Sequence, residues 1–416
     1  MIKLYSEFVN SSKASFFKSL GIGVVQGKRK GVYLQTLEGL KENIPPIKWI
    51  DCRTSGGVFN LGHCNPVMVN ALKEALDLGL DIGDHHLISE QRALLAKELI
   101  NLMPPGIKKV QFCVSGGEAI DLALKLAFAT TKRKKILSAS VGYHGVTGLA
   151  LAAGNKKFKE PFLWNLPNFE HVEFGNIDDL KNKIDENTAA VIFETIPATG
   201  GILIAPENYF TQVRELCDKF GVVMIIDEVQ TGLGRTGSLW GIYGGLYEFE
   251  KITPDIMVLA KGMSGGIYPI AVTCYKPYLD TVFKIDPFLH ISTTGGSELG
   301  CYVARKMLAI QSKEEFLNHV KKMGIIFKNG LENLKDKYSH LIKEIRGRGL
   351  MWGIEFLNER YSLGCTLLMI QNGILADYCG LKEDTIKLMP PLIIKEDEMN
   401  ELLKRLEIIF DKMPKK

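Results

Sequence analysis

Apolar residues in this chain gather into short runs separated by amphipathic stretches of helix length. Six runs, at residues 110–114, 135–139, 189–194, 222–227, 256–260 and 270–275, are continuous and β-branched enough to predict strands buried on both faces. The 3.6-residue spacing predicts helices over 66–78, 89–103, 117–131 and 209–220, the second ended by Pro104-Pro105-Gly106. Strand and helix alternate from about residue 65, which predicts an α/β fold with a mostly parallel sheet covered on both faces. The first sixty residues differ, with short strand-like pieces at 31–34 and 48–51 broken by glycine. After about residue 310 come a charged amphipathic helix over 314–337, the segment 345–356 and a last helix from Lys395. We read these ends as one smaller α+β domain onto which the early residues fold back. The expected boundaries are 1–60, 61–310 and 311–416.

Composition narrows the classes. A chain of 416 residues exceeds what one core usually supports, which agrees with a large and a small domain. No run of about 18 apolar residues and no apolar leader occurs, so no membrane partner and a cytoplasmic location are expected. A net charge of +4 with no basic stripe argues against nucleic acid, and the basic tail 412–416 reads as a solvated terminus. The eight cysteines are scattered without a C-x-x-C pair, which predicts free, mostly buried thiols in a reducing compartment. His85 and His86 are adjacent and point apart, so no metal site is expected.

Two charges stand where charges are costly. Asp227 ends one apolar run and Lys261 follows another; at the end of a buried strand each needs a partner. An acid and an amine presented from neighbouring strand ends suit a cofactor with a cationic nitrogen and an aldehyde, and pyridoxal phosphate has both. Taken singly, each has a plainer reading. An apolar strand ending in Asp-Glu also resembles the magnesium-binding strand of P-loop ATPases, but no Gly-Lys-Ser or Gly-Lys-Thr exists in the chain. Lys261 alone would be a snorkelling surface lysine, although Gly262, Gly265 and Gly266 after it leave room for a planar ring. Ser115-Gly116-Gly117-Glu118, between a predicted strand and helix, is either a capped tight turn or an anion cradle at a helix N-terminus.

Together these motifs resemble the class III aminotransferases, the ornithine, acetylornithine, 4-aminobutyrate and related ω-transaminases of pyridoxal phosphate fold type I. The segment 227–237, Asp-Glu-Val-Gln-Thr-Gly-Leu-Gly-Arg-Thr-Gly, looks like that family's signature, and residues 254–262 match its lysine motif. Residues 61–66, 115–119, 143–145, 293–296 and 390–392 extend the likeness over nearly the whole chain. The resemblance implies a large domain with a seven-stranded sheet and these roles. Lys261 forms the resting Schiff base and shuttles a proton between Cα and C4′; Asp227 pairs with the pyridinium nitrogen. Val229 and Tyr143 pack on the two ring faces, with His144 beside Tyr143. Gln230 reaches the phenolic oxygen, Glu194 supports the site near Asp227, and Ser115, Gly116 and Gly117 hold the phosphate. Thr293 and Thr294 resemble the threonines that reach the phosphate of the neighbouring subunit, which implies a homodimer with shared sites. Without the family, Thr293 and Tyr143 would read as a loop hydroxyl and a core aromatic.

The departures from the family concern substrate. Val146 follows Tyr143-His144-Gly145 where many members carry a carboxylate-gripping arginine. Lys387 and Thr199 stand where α-amino-acid members carry an Arg–Glu pair, and Gly56 where ornithine enzymes tend to have an aromatic. Lys387, as a point charge, or Arg53 remain as carboxylate partners; for Arg53 a surface ion pair is the plainer reading. Val146, Phe59 and Gly56 suggest a less polar pocket. The expected activity is transfer of an amino group from an amino acid or ω-amine to a 2-oxo acid. A racemase or epimerase of the same family would share every cofactor residue, and a catalytically silent amine-binding protein is disfavoured by Lys261, Asp227 and Gln230.

Overall fold

The computed structural model describes residues 1–19, 25–37, 46–244 and 252–414; the tail residues Lys415 and Lys416 lie outside them. Fifteen strands occur among the described residues. Three precede residue 60: β1 (Gln26–Lys30), β2 (Tyr33–Thr36) and β3 (Lys48–Asp51). Seven form the central sheet: β4 (Lys109–Cys113), β5 (Lys135–Ala139), β6 (Phe169–Val172), β7 (Thr188–Glu194), β8 (Val223–Asp227), β9 (Ile256–Leu259) and β10 (Ala271–Tyr275). Five follow: β11 (Ile342–Arg348), β12 (Met351–Phe356), β13 (Ile374–Leu375), β14 (Asp377–Cys379) and β15 (Lys382–Leu388).

The central sheet has the order β4-β10-β9-β8-β7-β5-β6. Neighbours from β9 to β6 pair in parallel, while β10 runs antiparallel to β9 and β4. Every position of β7, β8, β9 and β10 is buried, because each face is covered. Val223 and Ile225 pack with the helix Gly116–Thr131, whereas Met224 and Ile226 pack on the other face with Phe210 and Val213 of the helix Tyr209–Phe220. A two-sided core therefore explains why these strands read as unbroken apolar runs.

The six expected strands form, with ends shifted by about a residue. The seventh, β6, escaped the pattern because it is an edge strand bonded only to β5, and its exposed Glu170 and half-buried His171 interrupt the apolar sequence. Two N-terminal helices, Ile2–Phe8 and Ser11–Ser19, were also not foreseen; the first buries no residue.

The chain ends meet. The two-residue β13 lies parallel to β3, adding a C-terminal strand to the N-terminal sheet β1-β2-β3. A second sheet, β11-β12-β15-β14, is antiparallel. Val32, Ile50 and Cys52 share one hydrophobic cluster with Phe327, Ile354 and Phe410. Helices Glu314–Lys337 and Glu396–Asp411 supply much of that cluster. Gly56, just past β3, and Met389, just past β15, meet Lys261 and Gln230 beyond the carboxyl ends of β8 and β9, where open α/β sheets gather ligands.

Candidate active site

A cavity of about 530 Å³ opens at those strand ends, lined among others by Ser115, Tyr143, Glu194, Asp227, Val229 and Lys261. Asp227 is the last residue of β8, in register with Glu194 at the end of β7. Its Oδ1 accepts a hydrogen bond from Val229 N at 3.0 Å, and its Oδ2 faces His144 Nδ1 at 2.9 Å. His144 is fully buried and its Nε2 has no partner. The imidazole therefore serves one neighbour, with Nδ1–H aimed at the Asp227 carboxylate. Glu194 accepts from Tyr143 N at 2.9 Å and more weakly from Ala198 N at 3.4 Å. Burial pushes its carboxyl up to about 7, with the Asp227 charge adding to the effect and His144 and Lys261 opposing it.

Lys261 follows β9 with a left-handed backbone (φ 43°), a conformation that costs a non-glycine residue about 1–3 kcal/mol. Its Nζ donates to Gln230 Oε1 at 3.1 Å, and Gln230 Nε2 donates to Met389 Sδ at 3.3 Å. Burial pulls the ammonium below its ordinary range; Asp227 and Glu194 oppose this, and Lys387 adds to it. An amine that loses its proton readily is a nucleophile. The site thus holds one amine against two carboxyl groups, and a ligand carrying a cation would balance it.

The opposite wall is built for an anion. The 16-residue helix Gly116–Thr131 begins at the cavity, with Ser115 Oγ accepting from Glu118 N at 3.3 Å and Glu118 Oε2 accepting from Val114 N at 2.8 Å. A Cβ on Gly117 would stand 2.7 Å from Thr147 Oγ1, and one on Gly116 would stand 3.3 Å from Val229 Cγ1. Only glycine lets the two loops approach so closely, and the helix start then offers positive dipole to a bound phosphate. Tyr143 stands half-buried on the wall, edge-on to Phe158 with ring centroids 5.1 Å apart.

The remaining expected residues are placed as follows. Val146 lines the cavity and is 62% exposed. Gly56 adjoins it: a Cβ there would stand 3.4 Å from Lys261 Nζ. Phe59 stacks against His63 with centroids 4.2 Å apart and lies under Gly266. Arg53 is half-exposed and ion-paired with Asp377, outside the cavity lining. Thr199 accepts from Leu381 N through its carbonyl, and Lys387 lies on β15 opposite Gly353 and Asp377. Thr293 and Thr294 lie off the cavity of their own chain, in the loop before the helix Glu298–Gln311. Gly266, expected to leave room for a ring, lines the cavity, as do Val58, Thr147, Ser264 and residues 267–270, which were missed; the hydroxyl of Thr147, two residues beyond Gly145, was the readable signal. His85 bonds Asp81 on the surface. The cysteines are free thiols, all buried except Cys64, and no helix of the described residues is long and apolar enough to cross a membrane.

A buried strand-end acid, a buried amine and a glycine-lined helix start around one cavity define a pyridoxal-phosphate type of site. The comparisons give the family. Residues 21–410 match the model of the class-III aminotransferases, and the chain belongs to that family. It is 48% identical over 406 residues to an uncharacterized aminotransferase of Archaeoglobus fulgidus, covering 98% of this chain and 92% of that one. Its fold is similar to the ornithine aminotransferase of Toxoplasma gondii (TM-score 0.83, 25% identity, 94% and 89% covered), crystallised with partial occupancy of pyridoxal phosphate at the active site. It is equally similar to an (S)-enantioselective omega-transaminase of Thermomicrobium roseum (TM-score 0.83, 25% identity, 93% and 92% covered). The chain is a pyridoxal-phosphate-dependent aminotransferase of fold type I; these relatives do not favour the racemase alternative.

Proposed function

We propose that the cavity takes its nitrogen from an amino acid or ω-amine and passes it to a 2-oxo acid in two half-reactions on one cofactor. The reading is carried by one observation: Lys261 Nζ and the Asp227 carboxylate share a cavity with the glycine-lined start of a helix. When bound, pyridoxal phosphate supplies an aldehyde that captures amines and a cationic ring that withdraws electrons from them. The chain's residues do the rest. Ser115, Gly116 and Gly117 hold the phosphate, and Tyr143 and Val229 clamp the ring. Asp227, oriented by His144 and Val229 N, keeps a proton on the ring nitrogen, and Glu194 sets the charge behind it. Gln230 bonds the ring oxygen. Lys261 holds the cofactor at rest, and once released its amine carries the proton between the donor carbon and the cofactor carbon.

For substrate, Val146, Gly56 and Phe59 give the donor an apolar surround, and Lys387 meets a carboxylate as a point charge; Arg53 is the weaker candidate because Asp377 already holds it. Thr293 and Thr294 complete the phosphate site of a second copy, making a homodimer. We also read the chain as cytoplasmic, with domain divisions near residues 60 and 310.

The test is direct. Purified protein should show a visible cofactor band that borohydride bleaches, and Lys261→Ala should abolish catalysis by more than about a thousandfold. A panel of single-enantiomer amino acids and ω-amines should lose nitrogen only when pyruvate or 2-oxoglutarate is present. Loss of chirality without an oxo acid would overturn this reading.

A further inference from the structure

The small N-terminal sheet reaches the cavity through one turn with an unusual backbone. Four successive residues lie in the left-handed region: Thr54 (φ 47°), Ser55 (48°), Gly56 (70°) and Gly57 (101°). The two glycines sit there freely; Ser55 and especially the β-branched Thr54 do not. Gly56 N bonds Arg53 O at 2.8 Å and Gly57 N bonds Thr54 O at 3.1 Å, closing a left-handed turn. Such a conformation persists only where its surroundings fix it from several sides.

Asp51 and Thr54 fix it here. Asp51 is the last residue of β3 and is buried. Its Oδ1 accepts from Arg53 N at 2.9 Å and Thr54 N at 2.8 Å, and its Oδ2 faces His63 Nε2 at 2.8 Å. Thr54 Oγ1 donates to Met389 O at 2.9 Å and accepts from Gly57 N at 3.2 Å. On its inner edge the turn meets the reacting groups: a Cβ on Gly56 would stand 3.2 Å from Gln230 Nε2 and 3.4 Å from Lys261 Nζ. Met389 closes the circuit, since its carbonyl holds Thr54 and its sulfur accepts from Gln230.

We propose that Asp51 is a positioning residue for Lys261. By holding the turn at residues 54–57, its carboxylate sets where the Gly56 backbone stands and so where the Lys261–Gln230 pair is kept. It lies outside the cavity lining. The charges that act on Lys261 come from Asp227, Glu194 and Lys387, so a moved turn changes the distance of the amine from all three. The inference rests on Lys261 being the reacting amine.

Three substitutions in the holoenzyme test it. Asp51→Ala removes the anchor, Asp51→Asn keeps an acceptor for the two backbone N–H groups, and Thr54→Val keeps the shape while cutting the bonds to Met389 O and from Gly57 N. In Asp51→Ala the pH midpoint of the visible cofactor band should move by about half a unit or more. The turnover number should fall about tenfold or more while the donor KM stays within about threefold. In the cofactor-free protein, capture of added pyridoxal phosphate should slow by a similar factor. Asp51→Asn should restore most of each change. A folded, loaded Asp51→Ala protein with an unmoved midpoint and full turnover overturns the proposal, and so does a lowered melting temperature with nothing else changed. If the alanine protein does not fold, Thr54→Val is read by the same criteria. Failure of the underlying reading looks different, because Lys261→Ala would then keep its borohydride-sensitive band.

Discussion

Glu194 and Asp227 stand side by side at two strand ends, where burial makes a second negative charge costly. The fold raises the Glu194 carboxyl to about 7 from an ordinary 4.5, chiefly by burial. A carboxyl raised on folding is favoured in its protonated form, so this contribution to stability is complete below the unfolded value of 4.5 and lost as pH rises through 7. The cofactor-free protein should therefore lose stability between those limits relative to Glu194→Gln, by an amount of order 3 kcal/mol. Glu194→Gln, which stays neutral, removes this contribution while keeping those of His171, whose buried imidazole is pulled down to about 4, and of Glu228, whose buried carboxyl is pushed up. Parallel melting curves at several pH values check this, and a wild-type-minus-variant difference that stays constant from pH 4.5 to 7 would refute it. Adding pyridoxal phosphate should lessen the slope, because a cation beside Asp227 favours ionised Glu194. At this scale the sequence was most readable where burial makes a charge expensive. Asp227 and Lys261 stood out because they end apolar runs. Asp51 did not, because it ends a short four-residue strand that begins with Lys48 and looks like any turn acid; its importance depends on His63 and Met389, the latter far away in sequence.

The elements explain why the signature segment after β8 is so distinctive. Only Asp227, Val229 and Gln230 of it face the cavity. Glu228 points away and binds Thr195 Oγ1, Thr231 Oγ1, Gly241 N and Ile242 N. Arg235, buried throughout, donates to Leu350 O at 2.8 Å, Pro390 O at 2.6 Å and Asn60 Oδ1 at 2.6 Å. One loop therefore ties the catalytic strand to the residue-60 turn and to both ends of the β12–β15 region. Arg235→Ala would leave three buried acceptors unpaired around a void, so it should cost roughly 3–5 kcal/mol. Lysine, with one charge centre in place of the fork, should recover only part of that. Urea midpoints for the two variants, against wild type, provide the measurement; an unchanged midpoint for Arg235→Ala would show that the region repacks. Strands and long helices were legible from period and run length because both faces of the central sheet are covered. The edge strand β6 and the N-terminal helices were not, since neither buries a continuous apolar face.

At the scale of the whole molecule, the exposed apolar surface at residues 87–88 and 288–289 is the informative part. Residues 81–92 and the loop 286–297 are stitched together by Asp84 N to Thr293 O at 3.1 Å and by Arg92 to the carbonyls of Gly295 and Gly296. Outward from this seam project Leu87 (77% exposed), Ile88 (98%), Phe288 and Leu289. Clustered exposed side chains of this size mark an association surface. A two-fold contact between copies of the chain would cover them and carry each Thr293 towards the other copy's phosphate site. Read from its own sequence Thr293 is a loop hydroxyl, and only the family resemblance assigns it to such a contact. Subunit mixing separates the alternatives. Lys261→Ala destroys its own site, and Thr293→Glu places a negative charge against whichever phosphate that loop serves. If the loop serves the partner, a mixed dimer of the two variants contains one site with intact Lys261 and intact Thr293. Co-expression should then recover activity approaching about a quarter of wild type, since about half the dimers are mixed and each has one good site. If Thr293 serves its own chain, both sites of every mixed dimer carry a lesion, and co-expression recovers nothing. The same preparation, run on a sizing column, should elute as a dimer, and Ile88→Asp with Leu289→Asp should shift it to the monomer with loss of bound cofactor.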